Sequence, residues 1–354
     1  MNHRYFVVFG LMCLVLFNLS CSERKINDPQ DALINMKQNL IVPDPEAHST
    51  NVLAEISAIQ IDDQGNIYLL DRRNTQVSVF NTDGSYLRSF GKRGQGPGEF
   101  QVPLGMFVEG QYLHIYDLMI RKISTFSLDG KHIKDMSLNE IGEFFRPEAK
   151  TENIIFGNIL EWESNEVSCL KLIKFDMITS QKSIIAMIKN EVDFSKEDPI
   201  KNTYILRLRK DKTAIWIYQK DYELNILSRE GNSKTLVTKE YDPVKISDED
   251  KENLIKRIYG GQDKIPQGTT LVWPEHFSPI HSLIIGYKDW IFIRTNEKNS
   301  VGEFKYDVFD EDGGFRGTFF LNTSILQIKN NMAYAISEDI EGFPIIIRYE
   351  IEIR

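Results

Sequence analysis

Polar and apolar residues alternate with period two along most of this chain, and turn residues cut the alternation into short pieces, which predicts antiparallel strands. The pattern also repeats. "NIYLLDRRNTQVSVFNTDGSYLRSF" (Asn66 to Phe90), moved forward by 46 residues, falls on "YLHIYDLMIRKISTFSLDGKHIKDM" (Tyr112 to Met136). Asp71 then meets Asp117, Ser78 meets Ser124, Phe80 meets Phe126, and Asp83-Gly84 meets Asp129-Gly130. One unit reads as four strands: Ser57 to Ile61, Asn66 to Leu70, Gln76 to Phe80 and Tyr86 to Phe90. The Asp-Gly pair supplies a positive-φ residue for the last hairpin. Four strands in about 40 to 45 residues make a propeller blade. A lone blade cannot bury both faces, so several must close into a ring.

Weaker copies follow at Asn153 to Ile185, Thr213 to Val237, Asp289 to Phe320 and Ile325 to Ile353, giving six blades. The 298 residues from Ser57 onward would also hold seven blades of the shortest kind. Six are preferred because two spans look inserted. In "ISDEDKENLIKRIYGG", Ser247 can cap a helix, acids fill its first turn and Gly260 can end it. Lys189 to Lys201 is a smaller polar insertion. The sixth unit stops after three strands, and "NLIVPD" (Asn39 to Asp44) is expected to supply the fourth. The expected fold is all-β: a six-bladed β-propeller of four-stranded antiparallel blades, closed by an N-terminal strand, with one short helical insertion between blades four and five. It would occupy residues 39–354, with the insertion at about 238–280, behind a tether at 21–38.

The first twenty residues carry one cation, Arg4, then an uncharged apolar run too short to span a bilayer, as in a secretory signal. The following Asn18-Leu19-Ser20-Cys21 resembles the lipobox of bacterial lipoproteins, which implies lipidation of Cys21 and membrane contact through it. Ser20 fits that pattern and Asn18 departs from it; ordinary secretion with cleavage elsewhere is the alternative. Either way the chain is expected to be exported to the cell envelope. Removing residues 1–20 takes one of 42 cations and none of 51 anions, leaving a formal charge of −10, which argues against a nucleic-acid partner. Cys169 would then be the one cysteine besides Cys21, so no internal disulfide framework forms and the core must stabilise the fold.

"SFGKRGQGPGEFQVPLGMFVEGQYLHIYD" (Ser89 to Asp117) followed by "ISTFSLDGKHI" resembles the NHL-type propeller repeat. The signal, the "GxGPGEF" loop after the first full blade, and "WPEHFSPIHSL" before a late blade together resemble the six-bladed, TolB-like propeller lipoproteins of diderm bacteria. The resemblance covers most of the chain but is specific only in the first two blades and around Trp273 to Leu283. It implies a fold and no settled activity.

The loop "FGKRGQGPGEF" is not a nucleotide cradle. Arg93 stands where a Walker loop needs Ser or Thr, and Glu99 or Gln101 where a dinucleotide loop needs its last glycine; a strand follows instead of a helix. The glycines suit a crossing between blades. That crossing should share a face with the turns between second and third strands, bringing Arg72, Arg73, Lys92, Arg93, Arg121 and Lys122 to one sector. Such a group would attract an anionic ligand, unless local acids neutralise it. Trp273, beside Pro274 in a connector, is a candidate to stack on a sugar ring. Cys169 lies in an apolar strand and reads as core. His276 and His281, five apart, lack the usual zinc spacing. Glu161, Glu163, Glu297, Glu338 and Asp339 fall near second-strand ends, so a channel-mouth metal, Ca²⁺ or Zn²⁺, has weak candidates in Glu161, Glu297 and His276.

The sequence therefore favours a monomeric binding module for a small anionic or carbohydrate ligand or an envelope protein, with no cofactor. The alternatives are a metal-dependent, lactonase-like hydrolase or lyase, and a protein-interaction scaffold.

Overall fold

The computed structural model describes residues 34–43, 53–142, 144–193 and 195–353. The signal, Cys21, most of the tether and Asp44 lie outside the described residues. Six four-stranded antiparallel sheets succeed one another, and the innermost strand of each touches the innermost strands of its two neighbours, so the ring closes.

Blade one comprises Ile56–Ile61, Ile67–Asp71, Gln76–Phe80 and Tyr86–Phe90, and blade two Pro103–Glu109, Tyr112–Asp117, Lys122–Ser127 and His132–Ser137. Blade three comprises Arg146–Thr151, Ile154–Trp162, Val167–Asp176 and Lys182–Glu191, and blade four Tyr204–Leu208, Ala214–Tyr218, Glu223–Leu227 and Ser233–Thr238. Blade five runs Ile280–Ile285, Ile291–Lys298, Phe304–Phe309 and Phe315–Leu321. Blade six holds Ser324–Lys329, Met332–Glu338 and Pro344–Ile353, and its outermost strand is Ile34–Val42, paired antiparallel with Pro344–Ile353. The N-terminal strand thus closes the ring as expected, beginning at Ile34 instead of Asn39.

Blade packing explains the burial pattern. A middle strand such as Ile67–Asp71 is covered on both faces and buried throughout, whereas the outer Tyr86–Phe90 is largely exposed. The core is divided among the six seams between blades. Tyr68, Val77 and Val79 of blade one, for example, meet Met106, Leu113 and Ile115 of blade two, with Phe100 of the crossing loop wedged between.

The sequence units of blades three to five began one strand late. Their innermost strands lie upstream of the expected stretches, at Arg146–Thr151, Tyr204–Leu208 and Ile280–Ile285. Arg146-Pro147-Glu148-Ala149-Lys150-Thr151 is mostly polar because an innermost strand lines the channel, so it carries no apolar alternation to read.

Both insertions exist. Helix α1 is Asp248–Tyr259. The Ser247 hydroxyl accepts from the Asp250 amide at 3.1 Å, and Asp250 Oδ2 accepts from the Ser247 amide at 3.0 Å. Gly260 ends the helix at φ 83°, its amide donating to Lys256 O at 2.9 Å. The smaller insertion is shorter than expected, because Lys189–Glu191 still belong to blade three. The two insertions meet: Lys196–Glu197 pairs in parallel with Thr270–Leu271, through Thr270 N to Ser195 O and Val272 N to Glu197 O, both 2.9 Å. They form one roof over blades four and five.

Candidate functional site

The glycine-rich loop is a packed crossing. Its ends meet where Phe100 N donates to Lys92 O and Gly94 N to Phe100 O, each at 2.9 Å. Gly91 has φ 89°, and a Cβ there would stand 2.5 Å from the Phe100 ring, so glycine is required. The loop does lie with the expected turns: a Cβ at Gly91 would be 3.4 Å from Thr75 O, and Lys122 Nζ donates to Gly96 O at 3.0 Å. Local groups already engage most of the cations placed there. Arg72 pairs with Glu55, and Arg121 donates to Gly142 O. Lys122 pairs with Asp135 at 2.8 Å and Lys92 with Glu99 at 3.1 Å. The Gly96 amide, then Lys92, hold the Glu99 pKa below its ordinary value. Arg73 and Arg93 are exposed.

On the same face, above blades four and five, the roof encloses a pocket of about 480 Å³. One wall is α1, presenting Asn253, Leu254 and Arg257; the smaller insertion brings Ile200, Lys201 and Asn202. The floor is blade five: His281 near the start of its innermost strand, and Arg294, Asn296 and Lys298 along the second. Backbone and side-chain bonds hold the walls. Ser278 donates to Asn202 Oδ1, Asn296 Nδ2 donates to Ser278 O at 2.8 Å, and Gln219 Nε2 donates to His281 O at 3.0 Å.

Arg294 is only 5% exposed. Its guanidinium stacks 3.7 Å from the Phe304 ring centroid and donates from Nη1 to His281 Nδ1 at 2.7 Å. A guanidinium only donates, so Nδ1 is the acceptor and the imidazole is neutral. Protein packed around the imidazole first, then the charges of Arg294 and Arg257, lower the His281 pKa although part of the residue stays exposed, in agreement with that geometry. Arg294 Nε is buried without a partner, and no ion pair reaches the guanidinium among the described residues. Burial lowers the Arg294 pKa, with Arg257 adding to the effect and Tyr306 opposing it. Lys298 stands 4.8 Å from the Phe304 centroid. Of the described residues lining the pocket one is an acid, Asp250, whose Oδ2 caps α1. The result is a concave site with a surplus of positive charge, part of it desolvated.

The carboxylates suggested for a metal have other partners. Glu161 is held by Lys171 at 2.5 Å and Lys182 at 3.3 Å, Glu163 by Lys189 at 2.7 Å, and Glu297 by Lys305 at 2.9 Å. Asp339 accepts from the Glu341 and Phe343 amides at 2.9 Å, forming a turn after Glu338. His276 sits in a bridge to Lys245. Among the described residues no three His, Cys, Asp or Glu side chains gather as a metal site would need. Cys169 is fully buried, and its bond to Glu163, then burial, raise the thiol pKa, which suits a core residue. Trp216 donates to Ser233 Oγ at 2.8 Å and Trp290 packs into the seam of blades five and six. Trp273 is partly buried on the connector beside the parallel pair, outside the pocket lining.

The sequence did not single out Arg294. In "IFIRTNEK" it looks like any charged residue in a strand, and only its burial sets it apart. Asn253 and Arg257 lie in a span that reads merely as an insertion, and Asn202 falls just after the smaller one.

Fold and site together define a six-bladed β-propeller with a cationic pocket roofed by its two insertions. A family profile described as a six-bladed β-propeller, DUF5128, matches residues 46–256, more than half of the chain, and the chain belongs to that family. Among solved structures, it is similar to a Bacteroides vulgatus member of the DUF4221 family, at TM-score 0.56 and 12% identity over 91% of this chain and 99% of that one. It is also similar to BF0058 of Bacteroides fragilis, described as a candidate exported protein, at TM-score 0.53 and 9% identity over 94% and 98% of the two chains. At these identities the likeness concerns the fold alone. No curated protein matches the chain.

Proposed function

We propose that this protein is an exported, lipid-anchored binding module of the cell envelope that holds a small anionic ligand in the roofed pocket. The observation that carries this reading is Arg294, a buried guanidinium with no carboxylate partner among the described residues, in a pocket lined by further cations. Burying a lone charge costs several kcal/mol, and such a cost is characteristic of functional sites. An anion that entered would pair with Arg294 in a partly desolvated setting, where charge-assisted bonds are strongest. The pocket's volume suits a small organic molecule. The cations around the glycine-rich loop support this reading less, since most of them are engaged locally.

Export and anchoring rest on the N-terminal signal and Cys21. No described helix is long and apolar enough to cross a membrane. Thermal unfolding in rising sulfate, acetate or phosphate at constant ionic strength tests the binding reading. A saturable rise in Tm that Arg294→Met abolishes is expected; no anion dependence beyond ionic strength refutes it. Fractionation of a Cys21→Ser variant tests the anchor, with loss from the membrane fraction expected.

A further inference from the structure

We infer that the ligand is an acidic sugar, a hexuronate or a short saccharide bearing one, and this rests on the anion-binding reading of the same pocket. The charges fix one part of the ligand. Arg294 on the floor calls for a carboxylate or similar oxyanion, and a neutral sugar would leave its charge unanswered. A zwitterion fits poorly, because its ammonium would enter a pocket lined by Lys201, Arg257, Arg294 and Lys298 against a single lining acid, Asp250.

The remaining walls fix the rest. A pocket of about 480 Å³ is far larger than an inorganic oxyanion requires. Four carboxamides line it; Gln219 is engaged at both ends, by His281 O and Thr203 N, and the other three keep complementary capacity. Asn202 has its Oδ1 occupied by Ser278, leaving its amide hydrogens, while Asn296 donates its amide to Ser278 O, leaving its oxygen. Asn253 on α1 is exposed and offers both. A hydroxyl group is donor and acceptor at once, so a polyhydroxylated ring satisfies such a set. An aromatic or aliphatic acid covering the same walls would leave them unpaired, which costs affinity. Phe277 adds an apolar face of the kind a sugar ring stacks on. Both insertions contribute, so the roof is part of the recognition surface.

The test is calorimetric titration of the full chain with sodium galacturonate, sodium glucuronate, galactose, benzoate and AMP. One or both uronates should bind saturably, at least about tenfold tighter than galactose, benzoate or AMP. Arg294→Met should abolish uronate binding. Asn253→Ala, at an exposed helix position that leaves folding intact, should weaken it about threefold or more while the sulfate-dependent rise in Tm persists. Benzoate or AMP binding as tightly as the uronates, with the same dependence on Arg294, would overturn the sugar assignment and leave the anion pocket standing. So would uronates failing to bind while sulfate still raises Tm. Galactose binding as well as galacturonate would overturn the role of charge, and no anion effect of any kind would overturn both readings.

Discussion

Arg294 donates from Nη1 to His281 Nδ1 at 2.7 Å, so a buried cation is oriented by a neutral imidazole where a carboxylate would ordinarily stand. This arrangement fixes the guanidinium without neutralising it. Replacing it with an apolar residue of similar length should therefore relieve a cost. Arg294→Met is expected to raise the stability of the ligand-free protein by roughly 1–3 kcal/mol, read as a higher urea midpoint at unchanged slope. A lowered midpoint would show that Arg294 is a structural residue and weaken the case for the pocket.

His114 offers a second, separate check on buried charge. It lies in the second strand of blade two with Nδ1 3.0 Å from Thr125 Oγ1. Burial, and then Lys150, hold its pKa at about 4 against an ordinary 6.5, with Glu109 opposing. The unfolded chain binds this proton first as pH falls, and the folded one only near pH 4. The contribution is thus complete above pH 6.5, declines as pH falls toward about 4, and is flat below that. It should be worth up to about 3 kcal/mol. In His114→Gln that part of the pH dependence should vanish, which equilibrium unfolding across pH 4 to 7 would measure. An unchanged profile would assign the pH dependence to other groups.

The repeated aspartates show what the sequence could reveal. Asp71 accepts from the amides of Ala54 (2.7 Å), Glu55 (3.2 Å) and Asn74 (3.0 Å). Asp117, 46 positions on, accepts from Gln101 (2.6 Å), Val102 (3.0 Å), Met119 (2.9 Å) and Ile120 (3.1 Å). Each ties the segment entering its blade to the turn after its second strand, and both are fully buried. Because the bonds are local to one unit, the repeat preserves them and the blades become legible. The innermost strand of blade three, Arg146–Thr151, was hidden for the opposite reason, since it is mostly polar, whereas Tyr204–Leu208 and Ile280–Ile285 are short apolar runs set apart from their blades' repeat text by the preceding insertions. The pocket was hidden because it joins Asn202, Asn253 and Arg294 through a pairing of two insertions that no periodicity encodes. Asp71→Ala and Asp117→Ala should each cost about 3 kcal/mol, by stranding several half-buried amides around a fully buried carboxylate position. Chemical denaturation of both variants decides this, and a loss under about 1 kcal/mol in either would contradict the assignment.

The closing strand turns the propeller's stability into a property of both chain ends. Ile34 and Val42, at either end of that strand, are 3% and 0% exposed and pair opposite Ile353 and Ile346. Val42 also packs in the seam of blades six and one with Leu53, Tyr334 and Ile346, so removing the strand opens a seam as well as an edge. A chain starting at residue 44 would leave the ten-residue strand Pro344–Ile353 unpaired along one side, a template for association with other chains. It should unfold at a lower urea concentration than the full chain and scatter more light at the same micromolar concentration, through self-association. Equal midpoints and equal scattering for the two chains would mean that blade six is complete without its N-terminal strand.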